Sequence, residues 1–158
     1  MPAKYSDVEI NMLIKEPKPL PKNYRSSIRL SVKRGHKESE IDVIGNKDNQ
    51  FRLIFRQSSL NTLDFSVILA FCPKETNQIF RLRRYNGKSH EHTNIIEGDI
   101  FYGFHIHTAT ERYQELGSDP DSFAEISDKF SDFNSAVQCL LSDCALQLPN
   151  DDQLELFR

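Results

Sequence analysis

Between residues 27 and 108 the chain alternates apolar and polar side chains in a succession of short segments. Ser27–Arg34 sets Ile28, Leu30 and Val32 on one side and Arg29, Ser31 and Lys33 on the other, the two-residue period of a half-buried strand. Ser39–Ile44 repeats the pattern with Ile41 and Val43 against Glu40 and Asp42. Gln50–Gln57 does so with Phe51, Leu53 and Phe55 against Arg52 and Arg56. Thr62–Phe71 is the most apolar segment, expected at the centre of a sheet, and Pro73 stops it. Gln78–Tyr85 opposes Phe80 and Leu82 to Arg81 and Arg83, and Ile100–Thr108 forms the sixth segment. Gly35, Gly45-Asn46 and Asp48-Asn49 supply turn chemistry between the first three. Connections this short predict an antiparallel meander.

Helical spacing appears at both ends. Ser6 can cap a short helix running to Lys15, with Val8, Met12 and Leu13 directed inward. Pro17, Pro19 and Pro21 then require an extended connector. Phe130, Phe133, Val137, Leu140, Leu141 and Cys144 recur with helical period from about Asp132 to Leu146, and Glu111–Gly117 reads as a helical turn. The expected fold is α+β: an antiparallel meander of about six strands with a C-terminal helix packed on one face. Residues 1–148 form one domain in this reading, and 149–158 an acidic tail.

Composition narrows the picture without changing it. The 158 residues suffice for one domain with a real core, and a hydrophobic fraction of 38% is that of a folded chain. No apolar run approaches the roughly 18 residues of a membrane span. The odd set Cys72, Cys139 and Cys144 matches no metal-ligand spacing, so buried thiols and a cytoplasmic location are expected.

Charge is divided along the chain. Residues 1–110 carry 17 Lys/Arg and 12 Asp/Glu, a balance of +5, while 111–158 carry 3 and 11, a balance of -8. The strand alternation would put Arg29, Lys33, Arg52, Arg56, Arg81 and Arg83 together on the second sheet face. Such a row of guanidinium and ammonium groups could grip nucleic-acid phosphates. The competing reading is neutralisation by Glu40 and Asp42 across the first strand pair.

Candidate chemistry concentrates between Ile79 and Tyr113, which holds four of the five histidines as two His-x-His pairs, His90/His92 and His105/His107. On a strand, His105 and His107 share a face, and the connection Asn86–Asp99 could return His90 or His92 over them. Converging imidazoles suit two chemistries. They can hold a divalent metal such as zinc, with one position open to water, for which His90, His92, His105 and His107 are the candidates. Alternatively, His92, His105 and His107 can move protons during phosphodiester cleavage while Arg83 stabilises the developing charge. Tyr113, Glu91 and Asp99 are supporting candidates.

The order Leu82, Arg84, Asn86-Gly87, His92-Thr93-Asn94, His105-x-His107, Arg112-Tyr113 resembles a small bacterial family. Its members join an Arg-Asp/Asn-Gly hairpin and an H-T-N motif to a downstream His-x-His and a C-terminal helix. The resemblance covers most of residues 5–146 and departs in lacking a proline after H-T-N. It implies a fold and a site rather than a reaction. A looser similarity links the chain to toxins of bacterial toxin–antitoxin loci, which implies a cognate antitoxin as a partner.

Gln153-Leu154-Glu155-Leu156-Phe157 resembles the peptide by which bacterial polymerases and repair proteins dock on the DNA sliding clamp. Leu154, Leu156 and Phe157 would enter an apolar pocket, with Gln153 hydrogen-bonded at its edge. The sequence thus leads to a toxin- or defence-type protein acting on nucleic acid or replication, docked to the clamp, with a histidine site of nuclease type. A non-enzymatic clamp inhibitor and a metal-stabilised binding module are the alternatives.

Overall fold

In the computed structural model the alternating segments become a seven-stranded antiparallel sheet, described for residues 4–28 and 35–149 and for the backbone of 31–32. The elements in chain order are α1 Asp7–Lys15, β1 Lys18–Pro19, α2 Tyr24–Ile28, β2 Ser31–Val32, β3 His36–Ile44, β4 Gln50–Ser58, β5 Phe65–Cys72, β6 Phe80–Asn86, β7 Glu91–Thr93, β8 Ile100–Tyr102, β9 His105–Thr108, α3 Glu111–Leu116, β10 Ala124–Ile126, α4 Phe133–Asp143 and β11 Leu146–Gln147. The sheet order is β10-β9-β6-β5-β4-β3-β2. The expected α+β class and the meander through β2–β6 are therefore observed, with the apolar β5 at the centre. β7 and β8 form a separate hairpin.

One sheet face is the core. Phe51, Leu53 and Phe55 of β4 and Val67 and Leu69 of β5 are wholly buried in it, with Leu140 and Cys144 at the far end of α4. α4 begins where Asp132 accepts a hydrogen bond from the Ser135 amide and Ser135 answers to the Asp132 amide, a reciprocal cap. Its buried residues, Ala136, Val137, Leu140 and Leu141, keep helical spacing. Among the described residues, no helix is long and apolar enough to cross a membrane.

Four expectations require correction. α1 is capped by Ser6 and Glu9 as the motif predicts, but Ile10 and Ile14 face the core while Val8 and Met12 are exposed. The two apolar stripes are equivalent in sequence, and the docking of the helix chooses between them. Asp7 accepts from the Glu111 amide, and the Tyr5 backbone is held on both sides by Gln114. Of the strand expected over Ser27–Arg34, Ser27 and Ile28 instead close the helix α2 and Ser31 and Val32 are strand, while residues 29–30 and 33–34 lie outside the described residues. Ile100–Thr108 is not one strand: it breaks at Gly103-Phe104, β8 joining the hairpin and β9 the main sheet. The seventh strand, β10, falls where the alternation gives no signal.

The fourth correction concerns β6. Its register against β5 shifts between Leu69 and Ala70, so that Leu69 pairs with Arg83 and Ala70 with Arg81. A bulge of this kind puts one extra residue into a strand and reverses the side-chain alternation beyond it. Arg81 therefore stays on the second face, Arg83 turns toward the α4 side beside Tyr85, Cys144 and Asp143, and Arg84 takes the second-face place.

The chain termini of the domain meet. β1 runs parallel to β11, and the fully buried Lys18 donates its ammonium hydrogens to the carbonyls of Ile14, Glu16 and Cys144 at 2.8, 2.8 and 2.9 Å. One cation thereby caps the C-terminal ends of both α1 and α4.

Candidate functional site

The second sheet face is solvated at one edge and covered at the other. Register places Glu40, Ile54, Ile68, Arg84, His107 and Ala124 in one row across the six strands from β3 to β10. Asn86 lies opposite His105 in the neighbouring row. Because β9 has a partner on both sides, its histidines are interior to the sheet rather than on a rim. The β7–β8 hairpin closes over them: His92 and Phe101 are paired across it, and both rings meet His105, at centroid distances of 5.5 and 5.6 Å. His105 and His107 are buried as a result, which differs from the open polar face that alternation implied.

The three rings converge: His105 and His107 share a face as the i, i+2 spacing predicts, and the hairpin returns His92 over them. Ring centroids are 5.5 Å apart for His92–His105 and 4.9 Å for both His92–His107 and His105–His107. One nitrogen from each ring lies within 4.8 Å of the others.

Hydrogen bonds fix the tautomers. Nδ1 of His105 meets the Gly103 carbonyl and Nδ1 of His107 the Asp121 carbonyl, each at 2.8 Å. A carbonyl only accepts, so both Nδ1 atoms carry the hydrogen and both Nε2 atoms keep a lone pair. For His92 the partner is Asn94 Oδ1, 2.8 Å from Nε2. The buried Asn94 amide cannot be turned round: its Oδ1 accepts from the Ala124 amide, while its Nδ2 donates to the Ala124 carbonyl and to Asp99. His92 therefore donates through Nε2 and keeps its lone pair on Nδ1.

Burial pulls the pKa of His105 below its ordinary value. It pulls that of His107 down to about 2, helped by the Arg84 charge and by the two sister imidazoles. Both rings are neutral at physiological pH and can ligate; the lowered pKa makes His107 a weak base, and neither ring is an acid there. The cluster opens into a polar pocket of about 340 Å³, lined also by Ser66, Arg84, Asn86, Ser89 and Glu91.

The remaining sequence candidates separate. His90 is exposed and lines the same pocket but stands outside the three-ring group. Arg83 is on the other face of the sheet, for the bulge reason given above, and Arg84, directly opposite His107, occupies the place expected for it. Tyr113 does not line the pocket; its buried ring supports the Asn94–Asp99 turn by donating to Glu97 at 2.6 Å and accepting from the Ile96 amide. Arg112 holds the same Glu97 at 2.7 Å.

Among the described residues the basic row is paired with carboxylates. Arg52 pairs with Asp42 and Glu40, Arg56 with Glu38, and Arg81 with Asp119 and Asp121. Arg29 and Lys33 lie outside the described residues, as do Gln153, Leu154, Leu156 and Phe157 of the tail. Arg84 was visible in the sequence as part of the resemblance, but its place in the pocket was hidden by the bulge. Asp121, fully buried between Arg81 and Arg84 at 3.3 Å from each, carries no local motif. Asn94 was visible as part of H-T-N, though not its role in orienting His92. Comparison with family models, curated proteins and solved structures yields no match.

Proposed function

We propose that this chain is a toxin- or defence-type protein that acts on nucleic acid, cleaving a phosphodiester in the pocket formed by His92, His105 and His107. The observation that carries the reading is the cross-strand pairing of Arg84 with His107, which puts a guanidinium beside neutral imidazoles in one open pocket. Arg84 offers the planar donor fork that suits a phosphate, and an imidazole lone pair can take the proton of the attacking hydroxyl. The test is cleavage of labelled RNA and DNA by the purified chain. Arg84→Gln is expected to reduce the rate roughly 100-fold. Arg52→Gln, near the opposite edge of the sheet, should leave it unchanged. A wild-type chain that cuts neither polymer refutes the reading.

A sequence observation supports one addition, that the protein reaches replicating DNA by docking Gln153–Phe157 on the sliding clamp. Leu156→Ala/Phe157→Ala should then weaken clamp binding by roughly 10²–10⁴, from the apolar area lost to the partner. The thermal melt of the domain should not move. Lost stability with no clamp affinity in the wild type refutes the docking.

A further inference from the structure

We propose that His92, His105 and His107 form a binding site for one divalent cation of the zinc class, ligated through Nδ1 of His92 and Nε2 of His105 and His107. The site goes beyond the nucleic-acid reading and does not depend on which substrate the pocket takes; with the ion bound the three lone pairs are taken, and activation of an attacking hydroxyl would fall to the ion instead of a free imidazole.

The geometry argues for it in three ways. First, the spent nitrogens and the remaining nitrogens divide cleanly. Each ring donates its only hydrogen to an oxygen of the protein. The three lone pairs accept no hydrogen bond among the described residues. These nitrogens are not sealed from the pocket, so water or an ion can reach them, and with one nitrogen of each ring within 4.8 Å of the others a single electron-poor occupant can satisfy all three at once.

Second, the supporting contacts are those that ligating histidines need. Donation of the second ring hydrogen to a carbonyl or amide oxygen fixes the ring plane and raises the basicity of the ligating nitrogen. His105 and His107 use backbone carbonyls. His92 uses Asn94, which is itself held by Asp99, so a carboxylate stands at the end of the relay.

Third, the donor set selects the ion. Calcium and magnesium want oxygen ligands, and this group contains no carboxylate. Three imidazoles suit zinc in four-coordinate geometry, with the fourth position facing the pocket. Arg84 would repel a cation, but the buried Asp121 lies 3.3 Å from it and from Arg81, and offsets that charge.

The experiment uses the full chain, stripped of metal with a chelator and titrated with Zn²⁺ and with Co²⁺ as a spectroscopic probe. One zinc per chain after dialysis is expected, with the visible d–d bands of four-coordinate cobalt. His92→Ala, whose ring is half-buried on the hairpin, should keep its circular dichroism and bind zinc at least about 100-fold more weakly; Asp99→Ala should bind about 10-fold more weakly. Zinc well below one per chain, or unchanged affinity in a folded His92→Ala, overturns the proposal. Should His92→Ala fail to fold, imidazole ¹⁵N shifts of the wild type decide: the three named nitrogens must move on adding zinc, and static resonances overturn the site. Stoichiometric zinc without cleavage of RNA or DNA removes the nucleic-acid reading alone. Cleavage by a chain that binds no zinc removes the metal site alone.

Discussion

Arg52 and His107 stand on the same face of the same sheet, toward opposite edges, and their surroundings differ in kind. Arg52 lies among solvated carboxylates, 2.8 Å from Asp42 and 3.7 Å from Glu40. Its charge is balanced locally, and water can replace any partner it loses. His107 is dehydrated beneath a hairpin, holds no charge, and shares its surroundings with an arginine whose counter-ion, Asp121, is wholly inaccessible to water. Polar side chains on the first edge keep a β-surface soluble. On the second edge, burial turns the same residue types into a constrained constellation, in which no group can change charge or move without disturbing its neighbours. The row from Glu40 to Ala124 passes from one regime to the other through two buried isoleucines, Ile54 and Ile68.

The sharpest way to break this contrast is to remove a carboxylate from each edge. Asp121→Ala strands Arg84 beside His107 and should cost about 3 kcal/mol of folding stability in a urea melt, because an uncompensated buried charge remains. Asp42→Ala at the solvated edge should cost under about 1 kcal/mol. Equal losses would abolish the distinction.

Acid sharpens it next. A histidine kept neutral in the fold protonates first in the unfolded chain, near pH 6.5, so stability is intact above that value and falls as pH descends toward the folded pKa of about 2. For metal-free protein, His107 alone should account for about 2 kcal/mol of loss between pH 6.5 and pH 5, at about 1.4 kcal/mol per pH unit. The comparison variant His107→Gln should lack that slope, as read by chemical denaturation at several pH values. A slope that survives in His107→Gln would show that the ring is not held neutral.

The smallest effect belongs to the solvated pair itself. A double-mutant cycle on Arg52 and Asp42 should give a coupling of about 0.5 kcal/mol at low salt that fades on raising ionic strength. A large, salt-resistant coupling would make this edge resemble the other.

What the chain reveals without coordinates follows the range of the interactions involved. Strands β3–β6 were legible because alternation is written into each segment, as in Phe51, Leu53 and Phe55. The meeting of His105 with His107 was legible for the same reason, and the return of His92 followed from the length of the intervening connection. Arg84 in place of Arg83 was not, because a bulge arises from the pairing of two strands and belongs to neither alone. Burial of the histidines was not legible either, since it depends on β10 and on the hairpin, both positioned by distant contacts such as Asn94 with Ala124. The inward stripe of α1 was set by Gln114 and Glu111, a hundred residues further along the chain.

The junction of β1 with β11 has a mechanical consequence. Two backbone bonds, Lys18 to Ala145 and Leu20 to Gln147, and the Lys18 side chain bonded to Cys144 join the strands at 2.8–2.9 Å. The strands run parallel, so tension drawing α1 and the end of β11 apart pulls them in opposite senses along their length. The bonds are then strained together, as rivets in a lap joint are, instead of parting one after another like a zip. A pull applied at Pro149 against α1 therefore loads that joint as a whole.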